Sequence, residues 1–152
     1  MNYAGVIHGV SETARYIEEK VREDRRHLHK SFAFGIESAL RDDLAAAWEE
    51  CKQPNWDGYN ALPVSQDVLR NMYTFLEALP FGFPGPSIGA DPHGHLSVEW
   101  YRSPRRVLSV SVSDDDLLHY AALLGSSNTC GTETYFGEVP ESILNLVRRV
   151  YS

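Results

Sequence analysis

The chain has no uninterrupted apolar stretch near the roughly 20 residues that a bilayer-spanning helix needs, so no membrane partner is expected. Its start, Met1-Asn2-Tyr3-Ala4-Gly5-Val6-Ile7-His8, has neither a basic leader nor a long apolar run before a small-residue cleavage site. A secretory signal is therefore not expected, and a cytoplasmic location is. The two cysteines, Cys51 and Cys130, form no CxxC pair and fall in different predicted elements. That usage fits a reducing compartment and predicts two buried, inert thiols. Positive charge is also scarce, with 14 Lys and Arg against 21 Asp and Glu and a net charge of −7. Binding a polyanion relies on clustered Lys and Arg, so the protein as a whole is disfavoured as a nucleic-acid binder.

What is present is the composition of a packed domain. At 152 residues, 43% hydrophobic and 23% charged, the chain is long enough to bury a core without disulfides or metal. Charge is unevenly spread. Lys20, Arg22, Arg25, Arg26 and Lys30 stand against Glu23 and Asp24, a local +3 that leaves −10 elsewhere.

The first half reads helical. Ser11 is a plausible N-cap for a charged helix whose narrow apolar stripe is Ala14, Ile17, Val21 and Leu28. After a break at Ser31 to Gly35, Ile36, Leu40, Leu44, Ala47, Trp48 and Cys51 recur at three-to-four spacing and predict a second helix, stopped by Pro54. Ser65 is the predicted N-cap of a third helix carrying Val68, Leu69, Met72, Phe75, Leu76 and Leu79, with Pro80 as its stop. The Phe81-Gly-Phe-Pro-Gly-Pro86 stretch is a connector.

From about Ser87 the period changes to two. Leu96, Val98 and Trp100 alternate with Ser97, Glu99 and Tyr101, and Leu108, Val110 and Val112 alternate with serines, so each strand has one apolar face. The polar face meets water or another chain. Leu117 to Leu124 and Thr129 to Phe136 are further strands, with turns at Asp91–Gly94, Ser103-Pro104, Asp114–Asp116 and Ser126–Asn128. Pro140 fits the first position of a last helix with Ile143, Leu144, Val147 and Val150 on its apolar face, and Arg148 and Arg149 suit its C-terminal end. The expected fold is α+β: an antiparallel meander of four or five strands with helices on one face, preceded by a helical segment. Residues 1–53 form that segment and 54–152 the sheet domain, together one compact unit.

The loop Asn55-Trp56-Asp57-Gly58-Tyr59-Asn60-Ala61-Leu62-Pro63 is the most distinctive stretch. With the following helix, the Phe/Pro/Gly connector and the strand ending Val98-Glu99-Trp100, its W-D-G-x-x-A-x-P pattern resembles a broad set of uncharacterised bacterial proteins. The resemblance covers about residues 55 to 151 and implies a fold but no activity.

No catalytic motif is present. Asp57 beside Trp56 would serve as an acid or base if the apolar neighbour raised its pKa, but a lone carboxylate in a turn more simply caps that turn. His93 and His95 near Asp91 suggest metal ligands, yet a hairpin turn explains them as well and further ligands are missing. His27 and His29 diverge on a helix, Cys130 and His119 have no motif to unite them, and Asp114-Asp115-Asp116 lacks the alternation of a calcium loop. The Gly-rich stretches match no phosphate-cradling loop, so no cofactor is expected.

The leading expectation is a non-enzymatic module that occupies a partner protein, in the manner of an inhibitor, immunity protein, antitoxin or anti-defence protein. Its expected binding residues are Lys20, Arg22, Arg25, Arg26, Lys30, Trp56, Asp57 and Tyr59, with no catalytic or metal-binding residue assigned. The alternatives are a nucleic-acid accessory protein using the helix at 20–30, and a small hydrolase or metal enzyme using Asp57, Glu99 and His95. Self-association through the first helix is also open.

Overall fold

The structure, a computed structural model, describes residues 15–18 and 38–152. Lys20, Arg22, Arg25, Arg26 and Lys30, the Ser11 cap and the Ser31 to Gly35 break lie outside the described residues. Residues 15–18 are helical and place Ile17 in the core. The remaining elements are α1 (Ser38–Cys51), α2 (Gln66–Glu77), β1 (Ser87–Ala90), β2 (Leu96–Ser103), β3 (Arg106–Val112), β4 (Leu117–Leu124), β5 (Ser127–Thr134) and α3 (Glu141–Tyr151). The expected α+β class and the antiparallel meander are both present.

Strand order is β1-β2-β3-β4-β5, every neighbouring pair antiparallel. Alternation sends Leu96, Val98 and Trp100 of β2, Leu108, Val110 and Val112 of β3, and Leu118 and Ala122 of β4 to one face, where all are buried. Against that face lie Val68, Leu69, Met72, Phe75 and Leu76 of α2, and Ile143, Leu144, Leu146, Val147 and Val150 of α3. Leu44 and Cys51 bring α1 into the same core.

Local chemistry explains the helix ends. Ser65 is extended (ψ 164°) and its hydroxyl accepts from the Val68 amide, satisfying one of the free N–H groups of α2. Pro140 stands one residue earlier than expected. Its ψ of 140° is extended, so it is the N-cap of α3, and its carbonyl accepts from the amides of Ile143 and Leu144.

Two further expectations need correction. The last strand starts at Ser127 rather than Thr129 and ends at Thr134, because Gly125, with φ +68°, makes the preceding turn tight. Cys130 is not a buried thiol. It lies exposed on β5, the sheet edge that no described helix covers, whereas Cys51, the last residue of α1, is buried. Burial, with a smaller push from the Glu50 carboxylate, raises the Cys51 thiol to about 11. A raised pKa depletes the reactive thiolate, to roughly one part in a thousand at pH 8. Ellman's reagent should therefore titrate one thiol per native chain, Cys130, and the second only in denaturant; rapid reaction of both would refute this placement.

Candidate functional site

The two most distinctive turns of the sequence meet in space. The 55–63 loop docks on the β1–β2 turn through the Leu62 amide, which donates to the Pro92 carbonyl at 2.9 Å. Glycine is required at the contact: Gly94 has φ +88°, and a Cβ there would lie 3.1 Å from the Pro63 carbonyl oxygen. The loop is clamped to α1 at its far end, where the Val64 amide donates to the Cys51 carbonyl and the Trp48 indole to the Val64 carbonyl.

Within the loop, Asn55, Gly58 and Asn60 all adopt left-handed backbone, with φ of 59°, 79° and 66°. Side chains hold this path in place. Asp57 Oδ1 accepts from the amides of Tyr59 (2.7 Å) and Ala61 (3.1 Å), and Asn55 Oδ1 accepts from the Asn60 amide at 2.7 Å. The Trp56 indole donates to the Leu62 carbonyl while its ring packs half-buried on the core. Tyr59 points away, 88% exposed.

The β1–β2 turn is an Asx turn on the same principle. Asp91 Oδ1 accepts from the His93 amide at 2.8 Å, and both imidazoles lie beside its carboxylate, at 3.6 Å for His93 and 3.5 Å for His95. Among the described residues no group of three or more His, Cys, Asp or Glu is arranged to hold a metal ion. The structure does not assemble Asp57, His95 and Glu99 either. Asp57 is committed to the loop's amides, and Glu99 stands exposed on β2, four residues and about 13 Å of strand beyond His95. His119 meets Thr132 across the β4–β5 pair at 2.9 Å rather than Cys130, which stands opposite Ala121.

Comparison of the chain with protein-family models, with curated proteins and with solved structures returns no match.

The second feature is a bare sheet face. On the side away from the helices, Ser97, Glu99, Tyr101, Ser109, Ser111, Ala121, Leu123 and Cys130 are all half-buried or exposed, so no described element covers them. Register aligns Tyr101, Val107 and Leu123 in one apolar row across β2, β3 and β4. Tyr101 is 54% exposed. The row was legible as breaks in an otherwise serine-rich alternation, but only the register joins its members.

The row runs toward an open edge. Because the Tyr135 amide donates to the Asp116 carbonyl, the odd-numbered residues of β5 bond β4, leaving Asn128, Cys130, Thr132 and Thr134 to aim their backbone groups outward. That edge has no Lys, Arg or Pro and no register shift, and its one charged residue, Glu133, is turned to the helix side, where it accepts from the Ser142 hydroxyl. The opposite edge, β1, is four residues long and is packed by α1.

Proposed function

We propose that the protein is a non-enzymatic binding module that acts by occupying the surface of a partner protein, of the inhibitor, immunity, antitoxin or anti-defence kind. The observation that carries this reading is the sheet face that no described element covers, whose apolar row of Tyr101, Val107 and Leu123 leads to an open edge strand. Exposed aromatic and aliphatic groups on a sheet surface are what a protein interface uses as anchors. An open strand edge adds main-chain hydrogen bonding to the same surface. Tyr59 and Leu62, 88% and 57% exposed on a loop locked by its own hydrogen bonds, offer a second contact region that includes the expected binding residues Trp56, Asp57 and Tyr59.

The test is affinity capture of the tagged protein from its native cells, comparing wild type with a variant carrying Tyr101→Lys and Leu123→Lys. Both positions are exposed, so the variant should fold. A stoichiometric protein recovered by wild type and lost from the variant is the expected result. A nucleic acid as the only stoichiometric partner, or the same partner recovered equally by both proteins, would overturn the reading.

A further inference from the structure

Among the described residues, arginine is distributed far more unevenly in the fold than along the sequence. Residues 38–152 contain eight Lys and Arg, and five of them, Arg102, Arg105, Arg106, Arg148 and Arg149, fall in two short segments some 40 residues apart. The fold brings these segments together. Arg106 Nη1 donates to the Arg149 carbonyl at 2.9 Å, tying the β2–β3 turn to the last turn of α3, whose negative dipole end favours cations. Acidic side chains collect at the other end of the sheet, where the β1–β2 and β3–β4 turns carry Asp91, Asp114, Asp115 and Asp116.

Some of this positive charge is already engaged. Arg148 pairs with Glu141 at 2.7 Å and lies over the Phe83 ring, 5.4 Å from its centroid. Arg102, Arg105 and Arg149 are exposed and have no ion-pair partner among the described residues. The last turns of α3 also line a cleft of about 290 Å³, with walls of Phe83, Pro84, Val147 and Tyr151 and with Arg148 at its rim. The connector forming one wall is held by the Trp100 indole, which donates to the Pro84 carbonyl at 2.8 Å.

We infer that this arginine end binds an acidic segment of a partner protein and takes one aromatic or large aliphatic side chain of that segment into the cleft. The inference rests on the binding-module reading and specifies the chemistry of the partner. Charge complementarity selects an anion, and arginine in place of lysine favours the planar, forked pairing of carboxylates. The net charge of −7 disfavours a nucleic acid, and the apolar walls suit an acidic peptide that carries one apolar side chain. A cleft of this size suits a single side chain rather than a phosphate backbone, and arginine with aromatic residues is the composition that protein interfaces enrich.

The probes are a short fluorescein-labelled peptide of glutamates around one phenylalanine, the same peptide with alanine in its place, and an oligothymidylate of similar length. Each is titrated by fluorescence anisotropy at about 50 mM salt, where exposed charges are least screened. The phenylalanine peptide should bind about tenfold more tightly than the alanine peptide. The exposed-site variant Arg102→Gln, Arg105→Gln, Arg149→Gln should weaken both peptides about tenfold, and Phe83→Ala should abolish the difference between them. Equal affinity for the two peptides, no binding of either, an unaffected triple variant, or tighter binding of the oligonucleotide would each overturn the inference. The capture experiment is scored separately. A captured protein whose binding survives the triple variant removes the arginine end and leaves the binding module, whereas peptide binding without a captured protein does the reverse.

Discussion

Replacing Trp100 with alanine should destabilise the protein by about 4 kcal/mol and lower its melting temperature by about 12 °C. Trp100 is wholly inaccessible and is the largest of the fully buried side chains. It stands on β2, opposite Leu108 of β3, and packs within the cluster formed with α2 and α3. Truncation removes its transfer free energy and leaves a void that the surrounding helices close only in part. It also removes the indole donor that holds the Pro84 carbonyl. Trp100→Phe separates the two effects: it keeps most of the ring and loses the hydrogen bond, so about 1 to 2 kcal/mol is expected. That variant should also blur the cleft wall and reduce the preference for the phenylalanine peptide. Denaturant unfolding followed by circular dichroism measures both. A loss below about 1.5 kcal/mol for the alanine variant would mean that the site repacks and that Trp100 is not the keystone of this face.

Trp100 also illustrates how much of the fold was legible. Its alternation with Glu99 and Tyr101 marked the strand and its inner face, and the same two-residue period marked β3. Ser65 and the spacing of Val68, Leu69, Met72 and Phe75 marked α2 as firmly, because each feature depends on a few neighbouring residues. What needed tertiary partners was hidden. Ser87-Ile-Gly-Ala90 has little strand character alone and becomes β1 by pairing Ile88 with Val98 and Ala90 with Leu96. Cys130 looked like a core residue because a local pattern does not reveal that its strand is an edge.

The candidate surfaces divide in the same way. The W-D-G loop and the Asp91 turn were each visible as turn chemistry, but their contact through Leu62 and Pro92 was not. The five arginines of the β2–β3 turn and α3 were invisible as a group, since Arg102 and Arg149 are joined only by the antiparallel path that returns α3 to the sheet. The basic run at Lys20 to Lys30 is legible as a group because it is contiguous in sequence, and it lies outside the described residues. A folded chain makes its charged ends by bringing together turns on the same side of a sheet.

The final prediction concerns Asp57, whose two possible roles have opposite signatures. Its Oδ1 accepts from the Tyr59 and Ala61 amides inside a loop with three left-handed residues. Removing that acceptor leaves two backbone donors without a partner, one of them on buried Ala61, while the left-handed path remains, and hydrogen bonds to a charged acceptor are worth more than neutral ones. Asp57→Ala should therefore cost about 2 kcal/mol. Asp57→Asn keeps an oxygen of the same reach and should cost about 0.5 to 1 kcal/mol. Amide exchange at Tyr59 and Ala61 should accelerate strongly in the alanine variant and only slightly in the asparagine variant. The loop's exit would loosen with it, so the Leu62 amide on the Pro92 carbonyl should lose protection in the same order. An acid or base group would behave otherwise, because asparagine cannot exchange a proton and would be as damaging to function as alanine. If both variants lie within about 0.5 kcal/mol of wild type, the carboxylate is not what holds the loop, and a chemical role for Asp57 regains the advantage.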